Sequence, residues 1–263
     1  MEITFYKYQG TGNDFVLADN RRNHCSRLTE EQIKHICDRR FGIGADGFML
    51  LNEKEGYDFE MVYYNADGWE GSMCGNGGRC IVKFANDLGI KKNRYVFLAT
   101  DGPHEATLEG DAVSLKMKDV EGIRKYKTDS VLNTGSPHYV QLEPDVMSLD
   151  VVKEGQRIRY SKEYTDEGIN VNFVQVKEDG SLIVRTYERG VENETYSCGT
   201  GVTAAALVFH HNDNGFNSID IETIGGKLNV RYHRELDGSF NNIWLKGPAL
   251  QVFKGTINIT GHD

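Results

Sequence analysis

The feature that most constrains the fold is a short motif that occurs twice, 124 positions apart in a chain of 263 residues. Cys74 and Cys198 each precede a Gly-x-Gly turn, and each turn runs into an apolar, helix-favouring segment. A second pair of landmarks keeps the same register, because Gly44 and Gly168 each lie 30 positions before their cysteine. Repetition at a fixed spacing predicts a chain built from two structurally duplicated halves.

The repeated motif also has a chemical meaning. Glycine lets the backbone approach a ligand closely, and a helix N-terminus offers N–H groups and positive partial charge. A thiol held there is biased toward thiolate, with a pKa that falls from about 8.5 to roughly 3.5–7.5. If the two helix N-termini converge on one cleft, one thiolate can remove a proton from a carbon while the other thiol delivers a proton to the opposite face.

Composition restricts the partners of the protein. The net charge is −9 with a pI near 5.4, and no cluster of lysine or arginine stands out, which argues against nucleic acid. No apolar run reaches the length of about eighteen residues that a membrane span needs, and no signal peptide is apparent. The five cysteines are odd in number and lack CxxC spacing, which is typical of free thiols in a reducing cytoplasm and predicts no metal site.

Local patterns predict a mixed α/β (α+β) fold with many short strands and one long helix after each cysteine motif. A further helix begins at Thr29, with Gln32 at the capping-box position. The helix after Cys198 is predicted to end within 212–215. We therefore expect two pseudo-symmetric lobes, each a curled, mostly antiparallel sheet around a central helix. The predicted lobes are 1–117, to which 252–263 returns, and 118–251.

Six segments together resemble the diaminopimelate epimerase family, in the family's order and across essentially the whole chain. These segments are Gly12-Asn13-Asp14-Phe15-Val16, Asn65-Ala66-Asp67-Gly68, Met73-Cys74-Gly75-Asn76-Gly77, Pro137-His138, Glu188-Arg189-Gly190 and Cys198-Gly199-Thr200-Gly201. The resemblance implies interconversion of LL- and meso-diaminopimelate without pyridoxal phosphate or any other cofactor, in lysine and cell-wall precursor synthesis. It also implies the two-lobed fold of the family, with the paired cysteines in an interlobe cleft, and a homodimer.

The resemblance further implies roles for individual residues. Cys74 and Cys198 are the implied acid/base pair, and His138 and Glu188 are implied to tune the ionisation of the two thiols. The implied substrate-binding residues are Asn13, Asn65, Gly75, Asn76, Asn170, Glu188, Arg189, Gly199 and Thr200. The sequence departs from the family at Ser136, where asparagine is common, and at Gly47, where some members have glutamine.

Other interpretations remain open at the level of sequence. Proline racemases and hydroxyproline epimerases share the two-cysteine logic but typically have histidine where Asn76 stands. A redox protein would have its cysteines close in sequence, and a non-catalytic binding module would be free to lose one of them. Asparagine is also an ordinary turn residue, and an exposed pair such as Glu188 and Arg189 can be a surface ion pair of little consequence. The other three cysteines, Cys25, Cys37 and Cys80, are predicted to be small buried hydrophobes.

Overall fold

The structure is a computed structural model that describes residues 1–126, 128–209 and 211–259. Within these residues the chain forms strands β1 (Glu2–Gly10), β2 (Asn13–Asp19), β3 (Gly47–Asn52), β4 (Glu60–Asn65), β5 (Arg94–Ala99), β6 (Gly102–Glu109), β7 (Ala112–Lys116), β8 (Arg124–Tyr126), β9 (Asp129–Asn133), β10 (Pro137–Leu142), β11 (Asn170–Val176), β12 (Leu182–Glu188), β13 (Asn193–Thr195), β14 (Gly215–Thr223), β15 (Gly226–Arg234), β16 (Phe240–Pro248) and β17 (Leu250–Asn258). The helices are α1 (Glu30–Cys37), α2 (Gly75–Asp87), α3 (Val151–Arg159) and α4 (Gly199–Val208), and a 3₁₀ turn covers Val146–Ser148. Over the described ranges, no helix is both long and apolar enough to cross a bilayer.

The chain divides into two compact units. The first contains the described residues of Met1–Leu115 and Pro248–Asp263, and the second is Lys116–Gly247. Strand β17 belongs to the first unit because it pairs antiparallel with β1 along nearly its whole length. Each unit has an apolar core of its own, one built around residues such as Phe48 and the other around residues such as Phe173.

The sheet of the first unit follows the order β17-β1-β2-β3-β4-β5-β6-β7. Two neighbouring pairs in this order are parallel, β2 with β3 and β4 with β5. All other pairs of neighbours in it are antiparallel.

The second unit repeats this arrangement strand for strand. Its order is β8-β9-β10-β11-β12-β14-β15-β16, and β13 forms an additional pair with β12. The parallel pairs, β10 with β11 and β12 with β14, fall at the same two places as in the first unit. The prediction of two pseudo-symmetric lobes with mostly antiparallel sheets is therefore confirmed.

A buried helix stands at the centre of each unit. Helix α2 packs against β1 and β2, and its apolar residues Ile81, Val82 and Phe84 are fully buried. Helix α4 packs against β10 and β11 and is buried at every position from Gly201 to Leu207. A helix that is apolar on all sides can be stable only when it is enclosed, which is why the sheet curls around it.

The other two helices differ in whether the sequence predicts them. The predicted capping box of α1 is present, because Gln32 N–H donates to Thr29 Oγ1 and Thr29 N–H donates to Gln32 Oε1. Helix α3 is not among the elements that the pattern predicts, since it buries only Val151, Gly155 and Ile158.

The predicted end of α4 is wrong. The helix ends at Val208, before the predicted range of 212–215. The side chain of Asn217 accepts hydrogen bonds from the backbone N–H groups of His211 and Asn212, at 3.0 and 2.8 Å. These groups are therefore engaged by β14 and are not used to extend the helix.

Candidate active site

Cys74 lies at the N-terminus of the central helix of the first unit. It is the N-cap residue of α2, with an extended backbone at φ −95° and ψ 131°, and its side chain makes no capping hydrogen bond. The positive end of the helix dipole is therefore directed at the surroundings of a partly buried thiol. Gly75 and Asn76 form the start of the helix and are themselves buried.

Asn13, the first residue of β2, connects Cys74 to Asn76. The Sγ of Cys74 lies 3.6 Å from Asn13 Oδ1, and Asn76 Nδ2 donates to the same oxygen at 3.2 Å. The other end of the Asn13 amide is fixed as well, because its Nδ2 donates to Asp46 Oδ2 at 2.6 Å. The first unit thus brings together three of the residues predicted from the sequence.

A network of ion pairs supports the side-chain amide of Asn13 through Asp46. Lys7 and Arg39 both pair with Asp14, at 2.7 and 2.6 Å, and Arg39 also pairs with Asp46 at 2.7 Å. Burial opposes ionisation of Asp14, yet the hydrogen bonds from Arg39 and Lys7 outweigh it and lower the pKa of Asp14 to about 2. The network remains ionised at neutral pH and fixes the position of the Asn13 amide.

Arg79 is a fully buried cation in α2, one residue before Cys80. Its Nη2 donates to Thr11 Oγ1 at 3.1 Å, and burial lowers the pKa of the guanidinium. Gly10 permits this packing, since a β-carbon there would lie 3.3 Å from the guanidinium and from the thiol of Cys80. Arg79 thus ties the helix to the turn that carries Asn13.

Cys198 occupies the equivalent place in the second unit. It is the N-cap of α4, with φ −112° and ψ 113°, and the helix begins at Gly199. The Sγ of Cys198 lies 3.5 Å from Thr200 Oγ1, and Thr200 Oγ1 lies 2.9 Å from His138 Nε2. Cys198 and His138 are both buried, with exposed fractions of 7% and 0%.

His138 is held from its other side by Asn172. The Nδ2 of Asn172 lies 3.0 Å from His138 Nδ1 and also donates to the carbonyl oxygen of Tyr139 at 3.0 Å. Asn172 Oδ1 accepts a hydrogen bond from Thr186 Oγ1 at 3.0 Å. Burial, aided by the positive charge of Arg189, lowers the pKa of His138 to about 3, so the ring is neutral at physiological pH.

Asn170 and Arg189 form a second cluster in this unit. Asn170 Oδ1 accepts from the backbone N–H of Arg189 at 2.9 Å, and Asn170 Nδ2 donates to Ser136 Oγ at 2.8 Å. The guanidinium of Arg189 is exposed and donates to the carbonyl oxygen of Glu167 at 2.9 Å. Glu188, next to Arg189, is the partly buried last residue of β12.

Two further positions singled out in the sequence lie in the first unit. Asn65 is the exposed last residue of β4, where the backbone turns back so that Asn65 N–H donates to the carbonyl oxygen of Trp69. Gly47 cannot carry a side chain, because a β-carbon there would lie 2.5 Å from the Tyr63 ring. The glutamine found in some family members therefore has no counterpart here.

The predicted burial of three cysteines can be compared with their exposure in the structure. Cys25, Cys37 and Cys80 are buried, with exposed fractions of 3%, 3% and 0%, so the prediction that they are small core residues is confirmed. Each of the five cysteines, all within the described residues, is a free thiol.

Sequence reasoning missed several residues that hold the site. Asn172 lies two positions after Asn170 on β11, and residues two apart in a strand share a face, so the alternation of polar residues was a usable signal. Asp46 lies in the glycine-rich loop before β3 and carries no comparable signal. Arg79 lies two positions after the Cys-Gly-x-Gly motif, yet an arginine in a helix is exposed in most proteins.

The chain is similar in sequence to one family of enzymes over nearly its whole length. The sequence model of the family described as diaminopimelate epimerase matches residues 5–122 and 130–249. The chain is 50% identical over 257 residues to the diaminopimelate epimerase of Flavobacterium psychrophilum, covering 97% of this chain and 100% of that one. It is 42% identical over 260 residues to the diaminopimelate epimerase of Chlorobaculum tepidum, covering 95% and 99%.

Two solved structures that share the fold have a low sequence identity to this chain. A phenazine biosynthesis protein of the PhzF family from Bacillus anthracis has a TM-score of 0.79 at 13% identity, covering 98% of this chain and all of that one. A hydroxyproline epimerase from Agrobacterium vitis has a TM-score of 0.66 at 14% identity, covering 97% and 92%. At such identities the likeness concerns the fold alone.

Proposed function

The chain belongs to the diaminopimelate epimerase family, and from that premise we propose that Cys74 and Cys198 are the groups that move its proton. The chain is an isomerase that interconverts LL- and meso-diaminopimelate without a cofactor. The observation that carries the proposal is that both cysteines occupy one structural position, the N-cap of the central helix of a unit.

In the proposed mechanism one cysteine is a thiolate and the other a thiol. The thiolate takes the proton from the α-carbon while the thiol delivers its own proton to the opposite face, so the bond broken and the bond formed balance. The roles swap when the reaction runs in the other direction. The N–H groups of Gly75, Asn76, Gly199 and Thr200, at the two helix N-termini, bind the adjacent carboxylate and stabilise the charge that develops on it.

The distal end of the substrate carries a second amino-acid group, and Arg189 is proposed to bind its carboxylate. An exposed guanidinium fork pairs bidentately with a carboxylate, and this one is already steadied by the carbonyl of Glu167. Asn13, Asn65, Asn170 and Glu188 complete the set of polar groups that bind the amino and carboxylate groups. Asn13 and Asn170 are suited to this because other residues fix their amides.

Two groups are proposed to tune the thiols. His138 reaches Cys198 through the hydroxyl of Thr200. The protonation state of His138 is therefore transmitted to that thiol through one hydroxyl group. Glu188 is proposed to act by charge, as a partly buried carboxylate beside Arg189. A site that moves protons without a cofactor depends on such neighbours, because an unperturbed thiol is a weak base at neutral pH.

We also propose that the protein is a cytoplasmic homodimer. Strand β17, paired on one side with β1, exposes Leu250, Val252 and Phe253 by 40%, 57% and 46%. Contiguous exposed apolar residues are a feature of protein interfaces, and a second copy of the chain is the proposed occupant. The five free thiols are consistent with a reducing compartment.

Incubation of the purified protein with LL-diaminopimelate, without any cofactor, tests the function. Chiral separation should show meso-diaminopimelate, and in deuterated water the new epimer should carry deuterium at its inverted centre. Early in the reaction the remaining substrate should carry almost none. Deuterium that enters substrate and product at equal early rates would show that a single base serves both faces and would refute the paired-cysteine mechanism.

Variants assign the two thiols. Cys74→Ala and Cys198→Ala should each abolish epimerisation, because a missing acid or base blocks transfer in both directions. Cys25→Ala, which removes a thiol in the core of the first unit, is the matched control and should retain activity. Full activity in either of the first two variants would contradict the assignment.

Proline and hydroxyproline are the alternative substrates, suggested by the shared fold with the hydroxyproline epimerase. The chain has Asn76 at the position where histidine is expected in those enzymes. A small cyclic substrate also leaves Arg189 without a carboxylate to bind. We expect no deuterium exchange into either compound under conditions in which diaminopimelate exchanges fully.

A further inference from the structure

We infer that the two thiols differ at rest, with Cys198 as the thiolate and Cys74 as the thiol, and that Asn172 is the positioning residue that sets this state. The inference rests on the proposed function, which requires one thiol and one thiolate but does not say which is which. The inference is drawn from the polarity of two contacts, Asn13 with Cys74 and Thr200 with Cys198.

The orientation of the Asn172 amide is the fixed starting point. A backbone carbonyl can only accept, so the atom that lies 3.0 Å from the Tyr139 oxygen must be the nitrogen. The amide oxygen then faces Thr186 Oγ1 at 3.0 Å, where the hydroxyl donates to it. Both ends of this fully buried amide are therefore assigned by their partners.

This orientation selects one tautomer of His138. The Asn172 nitrogen donates to His138 Nδ1 at 3.0 Å, so Nδ1 carries no proton. The ring is neutral, since burial lowers its pKa to about 3. Its proton is consequently on Nε2, which donates to Thr200 Oγ1 at 2.9 Å.

The hydroxyl of Thr200 transmits this polarity to the sulfur. Its oxygen accepts from His138, which leaves its hydrogen to be donated, and Cys198 Sγ lies 3.5 Å away. A hydroxyl that donates to sulfur stabilises the thiolate. The N-terminus of α4, which begins immediately after Cys198, favours the negative charge further.

The polarity at Cys74 is the opposite. Asp46 is a carboxylate paired with Arg39 at 2.7 Å, so it can only accept, and the Asn13 atom 2.6 Å from it must be the nitrogen. The oxygen of the Asn13 amide then faces Cys74 Sγ at 3.6 Å. An amide oxygen accepts from a thiol but repels a thiolate, so this contact holds the proton on Cys74.

Some charged groups in the first unit favour a thiolate at Cys74, and others oppose it. Arg79 favours negative charge at Cys74 through space, and its guanidinium donates to Thr11 Oγ1. The carboxylate of Asp46 lies one amide away from the thiol and opposes that charge. The contact with the Asn13 oxygen is direct and therefore sets the preference.

In the second unit two residues of opposite charge are adjacent in the chain, Glu188 at the end of β12 and Arg189 directly after it. The hydroxyl of Thr200 contacts Cys198 directly, and the hydrogen that it donates favours the thiolate.

The consequence concerns the first step of turnover. The epimer whose α-hydrogen meets Cys198 reacts directly with the resting enzyme, in which Cys198 takes that proton and Cys74 gives up its own. The product leaves behind a thiolate at Cys74 and a thiol at Cys198. One proton must then move between the two sulfurs through solvent before the resting state returns.

Alkylation of the ligand-free protein by iodoacetamide over a range of pH tests the inference. The rate at each cysteine is followed by mass spectrometry of peptides, and each residue's rate is compared with its own plateau at high pH. We expect Cys198 to titrate at a lower pH than Cys74 by at least about one unit, a tenfold difference in thiolate fraction. The comparison with each plateau removes the difference in access between Cys198, which is 7% exposed, and Cys74, which is more open.

Two variants at one position separate the relay from a purely structural role. Thr200→Val removes the hydroxyl and should shift the alkylation profile of Cys198 upward by at least about one pH unit, while the profile of Cys74 stays in place. Thr200→Ser keeps the hydroxyl and should restore the original profile of Cys198. Asn172→Leu, which releases the tautomer of His138, should shift the Cys198 profile in the same direction as Thr200→Val.

Equal profiles for the two cysteines, or the reverse order, would overturn the inference, as would an unshifted Cys198 in Thr200→Val. The outcome is independent of turnover. A protein that epimerises diaminopimelate but titrates first at Cys74 refutes the inference alone. A protein that titrates first at Cys198 but does not epimerise diaminopimelate refutes the proposed function alone.

Discussion

His138 provides a direct measure of how strongly the second unit excludes charge. Its ring is fully buried between Asn172 and Thr200, and burial, with help from Arg189, lowers its pKa from 6.5 to about 3. In the unfolded chain the same ring is protonated near its ordinary pKa. Between these two values the unfolded state binds one proton more than the folded state, so acid must destabilise the protein through this residue.

The size of the effect follows from the pKa difference. The stabilisation is fully present above about pH 6.5 and is lost as the pH falls toward about 3, at about 1.4 kcal/mol per pH unit. Between about pH 6.5, where the unfolded ring is half protonated, and about pH 4.5 the free energy of unfolding should fall by about 2 kcal/mol through His138 alone. That is a sizeable part of the net stability of an ordinary domain, about 5–15 kcal/mol.

The assay compares the parent protein with His138→Gln. Glutamine replaces the imidazole ring with an amide, which does not titrate. Urea unfolding is followed by the fluorescence of Trp244 in the second unit, in a Trp69→Phe background, from about pH 8 to about pH 4.5. Above about pH 7.5 the two proteins should show the same pH dependence, which is the internal control. Below about pH 6.5 the parent should lose stability more steeply, by about 1.4 kcal/mol per unit. Parallel curves throughout would refute a buried, neutral His138.

Three further outcomes are expected. Gly155→Ala places a β-carbon 2.4 Å from Tyr187 Cβ and should destabilise the protein by about 1–3 kcal/mol in thermal unfolding. Gly122→Ala, whose nearest atom is 3.9 Å away, should stay within about 0.5 kcal/mol. Equal melting temperatures for the two would show that α3 is free to move away from β12. Arg189→Leu should lower kcat/KM for diaminopimelate by at least about 100-fold without changing the circular dichroism spectrum, and near-normal turnover would remove this residue from the site. Asp14→Asn removes the ion-pair partner of the buried Lys7 and leaves Arg39 paired with Asp46 alone, and it should cost about 3 kcal/mol or more in urea unfolding at neutral pH; the cost should shrink toward about pH 2, where Asp14 itself becomes protonated.

Much of the architecture was determined by sequence patterns that act locally. The repeated Cys-Gly-x-Gly motif places each cysteine before an apolar run, and such a run becomes a buried helix in any fold that can enclose it. The capping box at Thr29 and Gln32 depends only on residues three apart. The strand segments alternate over short stretches, so they too could be located without knowledge of their partners.

The features that the sequence did not reveal depend on contacts with other elements. Helix α3 buries only Val151, Gly155 and Ile158, and Gly155 lets it approach Tyr187 closely. The end of α4 is set by Asn217, which accepts hydrogen bonds from the backbone N–H groups that a longer helix would have used. In both cases the deciding contact comes from a strand, so the periodicity of the helix segment alone does not contain it.

The surroundings of the two cysteines show the same division. Their type, spacing and place before a helix were readable from the sequence, since these follow from the repeat. Their hydrogen-bond partners differ. Cys74 contacts the side-chain amide oxygen of Asn13, and Cys198 contacts the hydroxyl of Thr200. Asp46 fixes the first partner and His138 the second, through side chains brought together only when the sheet forms. The polarity of a hydrogen bond depends on what lies behind each partner, and only the tertiary structure decides that.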